Sequence, residues 1–362
     1  MGLGHDVQVR LLALAVVFLV VVGGVTAVVR GGGPSPAPAL VLGAGERSDA
    51  GLAAALGQAP DDQLPLSQPQ TLDLAAAGYD LPAGGSVYAA RVVDSADGPR
   101  YVDYVAGGGA LADDFWPASS IKVLAALGAL DFVASLGFSG AATVSFDSGY
   151  PVAGDGTTIR EIYDSAVHDS DNLDYDVLIR IAGFDRLNDD FLSPANGFPT
   201  TVIQRSYAGI DVRWSPEMTL RENGRVVVVP ERSGRGEYGC PVDGNCSNLF
   251  EMSESLRRLV LDRTLPPGER FGIDPLDVQA LSRALLGTDS FLEAGVESVL
   301  GPSATVRSKP GVADGLECVD TAVVTAPGGD HYLLSAAIPM EDFECGGLSD
   351  LAAAVLPLLA RT

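Results

Sequence analysis

The first signal along the chain is an unbroken apolar run, residues 11–29, with no charge between Arg10 and Arg30. It is long enough to span a bilayer as a helix. The run predicts an uncleaved signal anchor in residues 1–30, with a cleaved signal peptide as the alternative, since Val25-Thr26-Ala27 would serve as a cleavage site. From there to residue 72 the chain is rich in Ala, Gly, Gln and Asp, the pattern of a flexible linker over residues 31–72, with a short helical stretch at 49–57. Apolar positions then settle into regular elements. Residues 86–94 and 99–107 read as two strands around a turn, and residues 116–130 as a helix opened by a proline and two serines. Residues 158–182 have helical periodicity on both sides of a polar break at 168–172. Residues 218–232 predict a hairpin turning at Asn223-Gly224. Helical patterns follow at 248–263 and 274–287, strands at 304–312, 318–327 and 331–340, and a closing helix at 348–360. Five strands at the two ends of a helical middle make an α+β chain, whose terminal segments can build one antiparallel sheet.

Composition narrows the partners. A formal charge of -24 argues against nucleic acid and anionic membrane surfaces, which would repel the chain. The four cysteines fit export: Cys240 and Cys246 bracket a turn-rich loop short enough to staple, and Cys318 and Cys345 flank two apolar runs. An even count outside the cytoplasm suggests two disulfides. The histidines are His5, His168 and His331, and no Cys/His spacing fits zinc, so neither a metal nor a cofactor is expected. The glycine run at 106–110 lacks the strand, spacing and helix of a nucleotide fingerprint and reads as a loop.

The chain has 21 arginines and two lysines, Lys122 and Lys309. A guanidinium stays protonated in proteins, so an amine that must exchange a proton has to be lysine. Ser119 precedes Lys122 by three residues, which on a helix puts both side chains on one face. A desolvated lysine there is a competent base for the serine hydroxyl. Between the lysines lies Ser170-Asp171-Asn172, and Lys309-Pro310-Gly311 falls on a predicted strand.

In this order the three segments resemble the Ser-x-x-Lys, Ser-Asp-Asn and Lys-Thr/Ser-Gly motifs of the penicillin-recognising serine hydrolases, the class A β-lactamases and D-alanyl-D-alanine peptidases. The resemblance covers residues 73–362 and implies a β-lactamase/transpeptidase-like fold, a five-stranded antiparallel sheet with an all-helical subdomain. It also implies roles. Ser119 would be the nucleophile, Lys122 its base, Ser170 a proton relay to the leaving nitrogen and Lys309 electrostatic support. Asn172 would hold the substrate amide, Asp171 would brace its loop, and Gly311 and Val312 would line the site, with the oxyanion between the N–H groups of Ser119 and Val312. His168, bordering Ser170, would be a solvated loop residue or would touch substrate, Tyr163 would be a core residue, and Trp116 either a cleft wall or packing.

Two positions depart from the family. Pro310 replaces the Thr or Ser whose hydroxyl binds the substrate carboxylate; proline is tolerable on an edge strand beside a cleft. No deacylating glutamate is apparent. One register puts Tyr207 at that position, after Arg205, and another puts Ser215 there, after Arg213; Glu217 lies in the predicted hairpin. The expected function is an exported, membrane-tethered, monomeric serine hydrolase acting on a β-lactam or peptidoglycan stem peptide, with slow deacylation. The alternatives are a non-catalytic wall-peptide or β-lactam sensor, and an esterase for small acyl esters.

Overall fold

A computed structural model describes residues 69–95, 98–112, 116–147, 157–235, 238–240, 244–313, 315–340 and 344–360, together with the backbone of 46–48. The proposed anchor at 11–29 and most of the linker lie outside the described residues.

The long elements in chain order are β1 (Ser86–Val93), β2 (Arg100–Ala106), α1 (Lys122–Ser135), α2 (Ile159–Val167), α3 (Asn172–Ala182), α4 (Leu249–Val260), α5 (Pro275–Ala284), α6 (Glu293–Leu300), β3 (Thr305–Ala313), β4 (Glu317–Thr325), β5 (His331–Pro339) and α7 (Gly347–Ala360). The five strands form an antiparallel sheet in the order β2-β1-β5-β4-β3. It is larger than five strands. Glu46–Ser48 adds a sixth beyond β2, and the two-residue Gln70–Thr71 pairs with β2 in parallel. Segments this short carry no readable alternation, so the sequence does not announce them.

Both faces of the sheet are covered, which explains why its central strands are almost continuously apolar. Tyr88, Val319, Val323 and Leu333 pack with α1 to α5 in one core. The residues between them, among them Val87, Ala322, Val324 and Leu334, pack against α6 and α7 in another. Leu348, Leu351, Ala352, Val355, Leu356 and Leu359 form the apolar stripe of α7 at helical spacing. α1 has no polar face because it runs through the first core. Residues 118–135 are apolar and long enough to cross a membrane, yet 78% of that stretch is buried inside the protein.

The helical part is not all-helical. Thr143–Phe146 joins the hairpin strands Met218–Glu222 and Arg225–Val229 in a three-stranded sheet. The hairpin turns at Asn223 and Gly224, both at positive φ (49° and 81°), as a two-residue turn of this hand requires. α2 starts in a capping box of Thr158 and Glu161, and α3 is capped by Asp171, whose carboxylate accepts from the Asp174 N–H at 2.8 Å. Disulfides join Cys240 to Cys246 and Cys318 to Cys345.

Candidate active site

Three elements converge where the motifs lie. A short 3-10 turn, Ala118–Ile121, leads directly into α1, so Ser119 stands at the entrance of the core helix and Lys122, one turn on, is its first residue. The loop between α2 and α3 presents Ser170 with φ at +60°, a strained conformation for serine. Edge strand β3 brings Lys309, Pro310, Gly311 and Val312 alongside.

The two amines hold the loop. Lys122 Nζ donates to the Ser170 carbonyl, to Ser170 Oγ at 3.3 Å and to Asn172 Oδ1 at 2.7 Å. Lys309 Nζ donates to the same Ser170 Oγ at 2.9 Å. Both lysines are essentially inaccessible to solvent, 0% and 1% exposed. Burial, and next the charge of Lys309, lowers the Lys122 pKa to about 7. Burial lowers that of Lys309 to about 8, against the opposing carboxylates of Asp320 and Asp289. An amine that is partly neutral at pH 7 can take a proton from a nearby hydroxyl.

Strand β3 presses on the helix entrance. Ser120 Oγ donates to the Lys309 carbonyl at 2.8 Å. A Cβ on Gly311 would lie 2.8 Å from both the Pro117 carbonyl oxygen and the Ser119 nitrogen, so only glycine fits. Backbone direction alternates along an antiparallel strand. Ser308 N–H points away from β4, to the Leu285 carbonyl. Two and four residues on, Pro310 and Val312 therefore face away from β4 as well. The N–H that Pro310 lacks is missing from the cleft side and breaks no ladder bond, while Val312 turns its N–H towards the cleft.

Ser119 opens onto two cavities. One, of about 510 Å³, is lined by His168, Asp169, Ser170, Asp289, Lys309 and Pro310 among others. The second, of about 320 Å³, is walled by Trp116, Asn172, Tyr207, Val312 and Leu316. Six of the seven expected site residues line one or both cavities, and Lys122 lies buried beneath them. His168 is exposed, with Nδ1 3.2 Å from the Ala284 carbonyl oxygen. Tyr163 is a core residue whose hydroxyl donates to Asp277 at 3.2 Å.

The two registers offered for a deacylating residue separate in space. Ser215 is buried in a two-residue strand paired with Arg232–Ser233 and lines neither cavity, nor does Glu217. Tyr207 stands beside the nucleophile: its hydroxyl donates to the Ala118 carbonyl at 2.8 Å and accepts from Trp116 Nε1 at 3.4 Å. Its ring stacks on Tyr175, centroids 4.6 Å apart, and burial raises its pKa to about 12, which keeps the phenol neutral. Arg205 lies over Trp116 at 4.5 Å.

Sequence reasoning missed the support beneath Tyr207. The buried Asp176 carboxylate accepts from Ser206 Oγ and from the N–H groups of Tyr207 and Ala208, both at 2.9 Å. The signal was an acidic residue four positions after Asn172, on the core-facing side of α3. Asp176→Ala is expected to cost about 1.5–3 kcal/mol, because buried donors lose a charged acceptor. Urea unfolding checks this, and an unchanged midpoint would refute it.

The model of the beta-lactamase enzyme family matches residues 112–344. No curated protein matches the chain. Among solved structures, a class A beta-lactamase from Mycobacterium abscessus aligns at 18% identity over 80% of this chain and 98% of that one, with a TM-score of 0.52. A representative of class A beta-lactamase from Bacteroides cellulosilyticus aligns at 16% identity over 80% and 96%, TM-score 0.55. A beta lactamase from Burkholderia vietnamiensis gives 16%, 80%, 96% and 0.54. At these identities the likeness is one of fold.

Proposed function

The chain belongs to the beta-lactamase enzyme family and is a β-lactamase-like serine hydrolase, and we propose that it works through a Ser119 acyl-enzyme that forms readily and hydrolyses slowly. The observation that carries this reading is the Ser170 hydroxyl, bonded by both lysine amines in the wall of a cavity that Ser119 also lines. Neutral Lys122 takes the Ser119 proton as Oγ attacks the substrate carbonyl. The oxyanion lies between the N–H groups of Ser119 and Val312, donors that act most strongly where charge develops. Ser170 passes a proton to the leaving atom, and protonated Lys309 keeps that hydroxyl oriented. Asn172 holds the acyl side of the substrate in the second cavity.

Hydrolysis of the acyl-enzyme needs a base for water. The residue beside Ser119 in the second cavity is Tyr207, a neutral phenol committed to the Ala118 carbonyl, so deacylation is slow. β-Lactams and D-alanyl-D-alanine-type amides are the acylating class that follows from the family. Pro310 favours a second reading, esters or amides that lack a carboxylate, because it offers neither hydroxyl nor N–H to one. The enzyme acts outside the cytoplasm, where its two disulfides persist, tethered through residues 11–29.

Intact mass of the purified chain, followed over time with a penicillin and with a neutral acyl ester beside Ser119→Ala, tests this. A Ser119-dependent adduct lasting many minutes is expected. Rapid decay would make the chain an efficient β-lactamase and overturn slow deacylation. No adduct with either reagent, from a folded protein, would leave binding as its function.

A further inference from the structure

The two cavities beside Ser119 differ in chemistry, and on the acyl-enzyme reading above they hold different ends of the substrate. Asn172 belongs to the cavity walled by Trp116, Tyr207 and Leu316, which suits an apolar or aromatic acyl group. Ser170 belongs to the other, so the leaving group departs there. That leaving-group cavity is poorly made for an anion. Pro310 is buried in its wall without a donor, and no arginine is among its lining residues. Its one lysine, Lys309, is 1% exposed and already committed to Ser170. Two carboxylates, Asp169 and Asp289, stand exposed in the same wall, with His168 beside them.

We propose that Asp169 and Asp289 are specificity-determining residues that make the leaving-group cavity select a cationic group, so that the preferred substrates are amides or esters whose leaving group carries an ammonium rather than a carboxylate. The buried Lys309 lies at the Ser170 end, next to the scissile bond. Unlike Lys309, both carboxylates are exposed in the wall of the same cavity, where a leaving group of a few atoms would meet them. A carboxylate placed there meets two like charges; an ammonium meets two opposite ones, in a surface cleft where such pairs are worth more than in open water. The chemical step is unchanged: the bond to the leaving oxygen or nitrogen breaks, and that atom takes the proton from Ser170.

Three phenylacetyl esters test the proposal on the full chain: the choline ester, its neutral isostere 3,3-dimethylbutyl phenylacetate, and the glycolate ester. The readout is the acylation rate by intact mass, taken as the ratio of charged to neutral ester within each protein. The choline ester is expected to acylate Ser119 about five- to tenfold faster than the isostere, and the glycolate ester more slowly than either. The preference should shrink on raising salt from 0.05 to about 0.5 M. It should approach unity in the Asp169→Asn/Asp289→Asn double variant, which keeps shape and removes charge. A ratio near one in the wild type, or one that survives the double substitution or high salt, overturns the proposal while the neutral ester still acylates. Failure of all three esters and of penicillin to acylate overturns the acyl-enzyme reading with it.

Discussion

Lys122→Arg is expected to slow acylation by about 10²- to 10⁴-fold, the range contributed by a positioned general base. Arginine keeps the positive charge that holds Ser170 and Asn172 but stays protonated at any working pH. Lys122→Met removes charge and base together and should lose as much, which separates the missing base from a misfit of the longer side chain. The pH profile gives a second reading. With the Lys122 pKa lowered to about 7, the wild-type rate should rise with pH through that value as the amine becomes neutral. It should fall again above about 8, where Lys309 loses its proton. Both variants should lose the rising limb. Acylation rates by intact mass between pH 5.5 and 9.5, with circular dichroism to confirm folding, check this. A Lys122→Arg protein that acylates within a few-fold of wild type would remove Lys122 from the mechanism.

Gly311→Ala is expected to reduce acylation by about 10²- to 10³-fold, the cost of losing one oxyanion donor. The added methyl would stand 2.8 Å from the Ser119 nitrogen and 2.9 Å from the Ser120 nitrogen, both backbone atoms of the helix entrance. Neither can rotate aside, so strand and helix must separate, and the N–H groups of Ser119 and Val312 would no longer converge on one oxygen. Forced overpacking of this kind also costs about 1–3 kcal/mol of stability. Acylation measured well below the melting temperature of the variant separates the two effects. A folded Gly311→Ala protein reacting within fivefold of wild type would refute the assignment of the donors.

How much of this was readable in the sequence depends on distance along the chain. Ser119 with Lys122, and Ser170 with Asn172, lie within one turn of each other, and lysine is rare here, so their spacing stood out. Asp176, Tyr175 and Asn245 escaped notice because they act across folds of the chain. Asn245 Nδ2 donates to Tyr175 at 2.9 Å from 70 residues away, and only packing brings them together. The choice between Tyr207 and Ser215 was open for the same reason: two registers fitted the chain, each with an arginine before the position, and the cavity wall holds Tyr207. α6 was missed because it lacks a capping side chain, Leu292 standing at its N-cap. Thr143–Phe146 was missed because four residues are too few to set a period.

Pro310 has a consequence apart from catalysis. β3 is the last strand of a large sheet, and a sheet edge with free backbone groups is a template for pairing with another molecule. Upstream that edge is capped: Ser308 is bonded to Leu285, and Arg307 is bridged to Leu286. Where the edge passes over the cleft it must stay open for substrate, and there the proline removes an outward N–H from the ladder an incoming strand would need. The gap that admits a substrate therefore resists edge-to-edge self-association, which favours a chain that stays dispersed at high concentration.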